Sequence, residues 1–412
     1  MLKEQFLTYF ISSILGILGL LLLDPLNLFL FSLLLLNTVG YIVVLAIIAK
    51  MCHNTKGKEQ TQEIDEPTLP LVGFIIPAHN EEKTIERKLE NTFNLNYPSN
   101  ALEVIVVDDG STDKTLSILQ NLKQTRFPKL KIVRQNRKGK SAAENAGLQE
   151  SNGKIIVISD ADLPLNSNAL RFMVEDFEDP EVGGVTCTIK TNERYVLALN
   201  LDLGLYARKL ENKIDSIFGM SGPFVAFRKS IISTIDEAIF SSDTDTGVLV
   251  RRNGFKVVFD SRILSFVDQW VTNRPETVTG WLKRMKHLSF GSLVLFLRHK
   301  EILFRKRYGL FGLLIAPRHL LLNVFAPVIF VILSANFIFR LVETNLFLPF
   351  VSLASLFLLT TFAMRKVAAG VIVTKLFYLI LMYILGYFVR FIYYIMFLLS
   401  PSQRRGIWKG VR

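Results

Sequence analysis

Gly153-Lys154-Ile155-Ile156-Val157-Ile158-Ser159-Asp160-Ala161-Asp162-Leu163-Pro164 is the stretch around which the rest of the chain is organised. Ile155 to Ile158 form a short continuous apolar run. Such a run fits a strand covered on both faces, although a buried helix segment has the same local pattern. Asp160 and Asp162 stand two apart where that strand should end, and Pro164 breaks it. Two carboxylates crowded at a strand end call for a counter-charge, and hard oxygen ligands suit Mg²⁺ or Mn²⁺. An Asp-x-Asp is weak by itself; its surroundings have to support it.

Outward from this stretch the same rhythm repeats. Apolar strand patterns over residues 72–76, 104–107, 131–133 and 155–158 are each followed by an amphipathic helix pattern, over 82–93, 114–123, 141–150 and 169–177. This alternation predicts a mostly parallel sheet with right-handed crossovers. In such sheets ligands bind beyond the carboxyl ends of the strands, and every unusual polar cluster here falls at one of those ends.

Beyond the α/β region, residues 71–280, the chain turns apolar. Half of its 412 residues are hydrophobic, 32 of them Phe, and the mean hydropathy is +0.34, too high for an ordinary soluble protein. Runs of membrane-spanning length occupy residues 6–23 and 28–49, interrupted by Asp24-Pro25. Lys3 precedes them; Lys50, His53, Lys56 and Lys58 follow. The positive-inside bias places the N-terminus and the chain after Lys50 in the cytoplasm. No small-residue cleavage site precedes the second run, which argues against a signal peptide.

Residues 51–70 read as a linker. Residues 281–306 are basic and amphipathic, fitting helices at the membrane surface. Residues 307–400 hold about three apolar stretches, 310–339, 346–363 and 371–399, with Arg318 and His319 either near an interface, the favoured reading, or lining a polar cavity. Three full spans put residues 401–412 outside, whereas Arg404, Arg405, Lys409 and Arg412 argue for inside; a bend near Gly386 or an interfacial segment would reconcile them. The expected location is a multi-pass cell-membrane protein with its catalytic domain cytoplasmic. The net charge of +12 is scattered, which fits a membrane face and not nucleic acid. Cys52 and Cys187 are too few for a disulfide framework or a zinc site.

Four polar clusters stand at successive strand ends: Pro77-Ala78-His79-Asn80-Glu81; Val107-Asp108-Asp109-Gly110-Ser111-Thr112-Asp113; Arg137-Lys138-Gly139-Lys140-Ser141; and Asp160-Ala161-Asp162. Turns rich in Asn, Asp and Gly expose amides and short side chains to a nucleobase and ribose. Lys138, Gly139 and Lys140 supply cations and close backbone approach for phosphates. A cation on Asp160 and Asp162 would neutralise a diphosphate leaving group. Singly, each cluster also reads as a plain turn or a solvated surface.

Together with Gly139-Lys140-Ser141-Ala142-Ala143-Glu144-Asn145-Ala146-Gly147, these motifs resemble the nucleotide-sugar domain of family 2 glycosyltransferases. The resemblance covers about residues 70–290 and extends to the membrane-integrated branch. It implies a GT-A fold, a Rossmann-like mixed sheet, inserted between N-terminal and C-terminal transmembrane helices. It further implies a divalent metal on Asp160 and Asp162, a UDP- or GDP-linked sugar donor, and inversion in one in-line displacement.

Ser221, Gly222, Pro223 and Phe224 match the family's acceptor-side segment, which also reads as a tight turn. Asp243 matches the general base, with Asp245 beyond it; the alternative for Asp243 is a helix cap. Ser242 stands where the family usually carries Glu, and loss of that like charge should lower the proton affinity of Asp243. The polymerising branch's Gln-x-x-Arg-Trp falls on Arg284-Met285-Lys286-His287-Leu288. Arg284 and His287 could still reach the donor diphosphate, but Leu288 has no π-face on which an acceptor sugar would stack. These departures favour a single-transfer enzyme acting on a membrane lipid or lipid-linked acceptor. The other readings are a processive polysaccharide synthase and an inactive sugar- or lipid-binding membrane protein.

Overall fold

The computed structural model describes residues 24–51, 69–190, 196–237, 241–266, 278–347, 351 and 368–400. The first apolar run, most of the linker, nearly all of 346–363 and the basic tail lie outside the described residues, as do the side chains of Trp281 and Arg284.

Seven described strands form one mixed sheet: β1 (Val72–Ala78), β2 (Leu102–Asp109), β3 (Lys131–Gln135), β4 (Ile155–Ile158), β5 (Val182–Lys190), β6 (Val225–Arg228) and β7 (Lys256–Phe266). Their order is β3-β2-β1-β4-β6-β5-β7. The first four strands run parallel, and their register aligns the carboxyl ends: Ala78 pairs with Asp108, Asp109 with Gln135, and Ile75 with Ile158. The turns that follow therefore lie side by side. β6 is antiparallel to both neighbours and pairs Val225 with Ile158. This reversal delivers the Ser221–Phe224 loop to the end of β4 that carries Asp160.

The described helices are α1 (Pro25–Leu35), α2 (Tyr41–Met51), α3 (Ile85–Phe93), α4 (Thr115–Thr125), α5 (Lys140–Glu150), α6 (Ala169–Asp176), α7 (Val196–Ile214), α8 (Ser242–Arg252) and α9 (Val278–Arg298), then α10 (Phe311–Glu343) and α11 (Ala368–Leu399). Strand alternation sends Phe74 and Ile76 to one face of the sheet, against Leu89, Leu119 and Met173, and Ile75 to the other, against Ala143 and Leu148. Each fully buried side chain of this size contributes about 1.5–3 kcal/mol. Gly147 lets α5 lie flat on the sheet: a Cβ there would stand 2.4 Å from Ile75 Cγ2.

Among the described residues, α10 alone is long and apolar enough to cross a membrane; Pro25–Leu34, Tyr41–Met51 and Ile384–Leu399 are shorter apolar helices. The bend considered near Gly386 interrupts no secondary structure, since α11 runs through that residue as one helix. The apolar helices dock on the α/β domain through polar contacts. Glu211 of α7 accepts from Tyr41 Oη of α2 at 2.7 Å and pairs with His319 Nε2 of α10 at 3.2 Å. The Arg318 guanidinium lies 4.4 Å from the Tyr41 ring centroid.

Candidate active site

The cleft at the carboxyl ends of β1 to β4 gathers the four polar clusters. Asn80 adopts a left-handed backbone (φ 58) and bridges the first two turns. Its amide donates to Ser111 Oγ at 3.0 Å, and its Oδ1 accepts from the Thr112 amide at 2.8 Å. His79 Nδ1 donates to the Asp109 carbonyl at 3.0 Å. Pro77 and Ala78 belong to β1, with Ala78 buried. The Glu81 amide donates to Thr115 Oγ1 at 2.8 Å, and burial raises the proton affinity of its carboxyl, with Asp162 and Asp160 adding to it.

Asp108 and Asp109 serve different ends. Asp108 is buried; its Oδ1 accepts from the Ser111 amide at 3.1 Å, while Oδ2 has no hydrogen-bond partner. Asp109 is wholly occupied by the third cluster. It accepts from the amides of Lys138 (2.8 Å) and Gly139 (2.9 Å), from Gln135 Nε2 (2.8 Å) and from the Arg137 guanidinium. Burial alone would raise its proton affinity; these donors outweigh burial and hold the carboxyl below the ordinary range. Asp109 thus shapes the turn from Arg137 to Gly139. Gly139 sits in that turn at φ 107, a conformation that excludes other residues without strain. Lys138 is exposed.

Lys140 Nζ lies 2.6 Å from Asp160 Oδ1 and 4.0 Å from Glu144 Oε1. The Ser221–Phe224 loop closes on the same carboxylate: a Cβ on Gly222 would stand 2.8 Å from Asp160 Oδ2. Ser159 Oγ donates to the Pro223 carbonyl at 2.6 Å, and Arg208 Nη1 donates to Ser221 Oγ at 2.6 Å. Phe224 is a core residue, fully buried, so the segment contributes backbone and small side chains to the cleft.

Asp160 and Asp162 suit a divalent cation. Burial raises the proton affinity of Asp162, and the Asp160 charge adds to it, so a cation between the two relieves both effects. Among the described residues no cluster of three or more candidate ligands forms. Two carboxylates leave coordination positions for phosphate oxygens and water, the usual arrangement for Mg²⁺ or Mn²⁺.

Asp243 is the second residue of α8, inside the helix, with Ser241 at the N-cap position. Its Oδ1 accepts from the Thr244 amide at 2.8 Å. Its proton affinity is raised, contrary to the expectation from the missing glutamate. Burial raises it more than Lys140 and the Thr244 amide lower it, and Asp160 adds to the rise. Asp245 is buried away from the cleft, with Oδ1 2.6 Å from His299 Nε2. Arg252 Nη1 lies 3.0 Å from His299 Nδ1, so Nδ1 accepts and Nε2 donates to Asp245.

A cavity of about 180 Å³ adjoins the first turn of α8 at Ser241 and Thr244, without Asp243 in its wall. Arg208 and Glu211 of α7, Gly219, Ser241 and Thr244, Leu288 and Gly291 of α9, and His319 and Asn323 of α10 contribute to its wall. His287 is exposed and does not line it. A larger cavity, about 780 Å³, opens at the opposite end of β4 beside Lys154, Arg228 and Lys229, remote from the carboxylates. Its Arg228 is committed to the carbonyls of Phe177, Asp179 and Val182.

Sequence reasoning gave no role to Lys88, Arg208 or His299, nor to Glu144 within the Gly139–Gly147 motif. Lys88 had a signal: it falls on the buried stripe of α3 with Ile85, Leu89 and Thr92. The other three became legible only with their partners in place.

Residues 74–236 match the family model described as Glycosyl transferase family 2. A probable glycosyltransferase of Bacillus subtilis, YdaM, is 30% identical over 240 residues, covering 54% of this chain and 56% of the relative. A poly-beta-1,6-N-acetyl-D-glucosamine synthase of Staphylococcus epidermidis is 26% identical over 235 residues, covering 54% and 55%. The chain thus spans about half the length of the curated relatives it matches. The fold is shared with the mannosyltransferase PcManGT of Pyrobaculum calidifontis, solved with GDP-Man and Mn²⁺. That similarity has a TM-score of 0.66 at 22% identity, covering 89% of this chain and 98% of that one. The stretch that carries the four polar turns is thus similar to glycosyltransferase family 2 domains.

Proposed function

We propose that the protein transfers a sugar, with inversion, from a UDP- or GDP-linked donor to a membrane lipid or lipid-linked acceptor at the cytoplasmic membrane face. The observation that carries this reading is the 180 Å³ cavity. It joins the first turn of α8, where Asp243 stands, to α10, the helix long and apolar enough to cross a membrane. A hydroxyl presented from the bilayer side would approach the turn that carries the base.

In this reading the turns around Asn80, Asp108 and Ser111 take the nucleoside. The Lys138 and Lys140 ammonium groups face the diphosphate, on a turn whose Lys138 and Gly139 amides are held by Asp109. Asp160 and Asp162 would hold Mg²⁺ or Mn²⁺, which supplies Lewis-acid neutralisation of the leaving diphosphate. Asp243 takes the acceptor hydroxyl's proton as that oxygen forms the new bond to the anomeric carbon and the bond to phosphate breaks. Arg208, held by Ser221, positions the loop that backs Asp160. Arg284 and His287 remain candidate donor contacts, and Leu288 an acceptor-side wall.

A processive synthase is the second reading, favoured by the named synthases among the relatives. The cavity weighs against it: it is smaller than the roughly 300–1,000 Å³ typical of pockets that enclose a drug-sized ligand.

Incubating the full-length protein in detergent with labelled UDP- and GDP-sugars, Mn²⁺ and a total lipid extract tests the proposal. Label should enter the organic phase as a discrete product. A polymer retained at the gel origin would support the synthase reading, and label in neither product would sink both.

A further inference from the structure

Ser242, the residue before the base, is buried and donates to Glu144 Oε1 at 3.1 Å. Glu144 lies on α5, 98 residues earlier in the chain. It is 2% exposed, and its Oε2 has no hydrogen-bond partner. A buried carboxylate with one oxygen unsatisfied is costly. Its surroundings are those of the base. Lys140, Asp243 and Asp160 face Glu144; Lys140, Asp160 and Arg208 face Asp243.

We propose that Glu144 is a positioning carboxylate of the reaction: through Ser242 it holds the first turn of α8, and through its charge it sets the base strength of Asp243. The inference rests on the assignment of Asp243 as base. It accounts for a chain that lacks an acidic neighbour at position 242 in sequence and supplies one in space. One cation, Lys140, is then shared among Asp160, Glu144 and the field of Asp243, so adding or removing the Glu144 charge alters how strongly Asp243 holds a proton.

The sign is set by burial. Desolvation pushes the Glu144 carboxyl up to about 7, with Lys140 and Ser242 opposing and Asp243 and Asp160 adding. Its folded proton affinity exceeds its unfolded one, so its ionisation lowers stability as pH rises from about 4.5 through 7.

Thermal unfolding of the full-length protein in detergent tests this without turnover. At pH 8, Glu144→Gln and Asp243→Asn should each raise Tm, and the double variant should gain less than the sum, because each single change already removes the mutual repulsion. At pH 5 the Glu144→Gln gain should vanish. Additive gains at pH 8 would overturn the inference. With UDP-GlcNAc, UDP-Glc and GDP-Man as donors, Mn²⁺ and lipid extract, Glu144→Gln should move the acid limb of kcat/KM to lower pH by half a unit or more. Glu144→Gln with Ser242→Glu should move it back; an unmoved limb in Glu144→Gln would also overturn the inference. If the wild type turns over none of these donors, the transferase reading fails, and the unfolding cycle still decides the role of Glu144.

Discussion

Lys88 Nζ donates to Ser159 Oγ at 2.6 Å from a fully buried position on α3, one residue before Asp160. The same ammonium donates to the Leu163 carbonyl at 2.6 Å, one residue after Asp162. One lysine therefore holds both ends of the loop that carries the two candidate metal ligands. Burial lowers its pKa to about 8, with Asp160 and Asp162 opposing. Lys88→Met keeps the volume and removes both bonds. Its expected effect is about a tenfold weaker Mn²⁺-dependent binding of UDP or GDP, measured by calorimetric titration. Unchanged affinity would remove Lys88 from the site's support.

Gly222→Ala places a methyl 2.8 Å from Asp160 Oδ2, so the carboxylate or the loop has to shift. Donor KM should rise about tenfold, with a smaller change in thermal stability. A variant with wild-type KM would mean that the loop yields and Asp160 does not.

Asp162→Ala should abolish the Mn²⁺-dependent part of nucleotide binding and leave a weak metal-independent part from the Lys138–Lys140 turn. Titration with and without EDTA separates the two. Equal affinities in wild type and variant would refute the metal assignment.

Asp243→Asn should lower kcat by about 10² to 10⁴ with donor affinity retained. Because burial raises the proton affinity of Asp243, the base is protonated, and inactive, at low pH. Activity should rise with pH through a limb lying above the ordinary carboxylate value of 3.8. A fully active Asn variant would end the assignment of base.

His299→Leu leaves Asp245 buried without its donor, and its Oδ2 already has no hydrogen-bond partner. The expected cost is about 3 kcal/mol of stability, read from chemical denaturation. His299→Gln, which retains an amide donor, should lose less; equal losses would show that packing and not the Asp245 bond is at stake.

The gathering of the four polar turns was legible because each is a contiguous strand-then-turn. Pro77 to Glu81, Asp108 to Asp113, Arg137 to Ser141 and Asp160 to Asp162 needed only the parallel register to bring them together. The acceptor side was less so. Ser221 to Phe224 reads locally as a turn; that it backs Asp160 follows from β6 running antiparallel beside β4. Asp245 looks like a site carboxylate in sequence, yet its partner His299 lies 54 residues away past the end of α9. The proton affinity of Asp243 was misjudged from its neighbours in sequence, because burial and the groups gathered around it in space decide it.

Strand-and-helix periodicity and four turn motifs were enough to indicate the α/β class and the gathering of the four polar turns at one end of the sheet, since those depend on short-range order. The positions of Lys88 under Ser159, 71 residues apart, and of Glu144 behind Ser242, 98 apart, belong to the tertiary structure alone. Nothing local dictates either pair: each charge is tolerated inside only because chain packing removes it from water and supplies its partner at the same time.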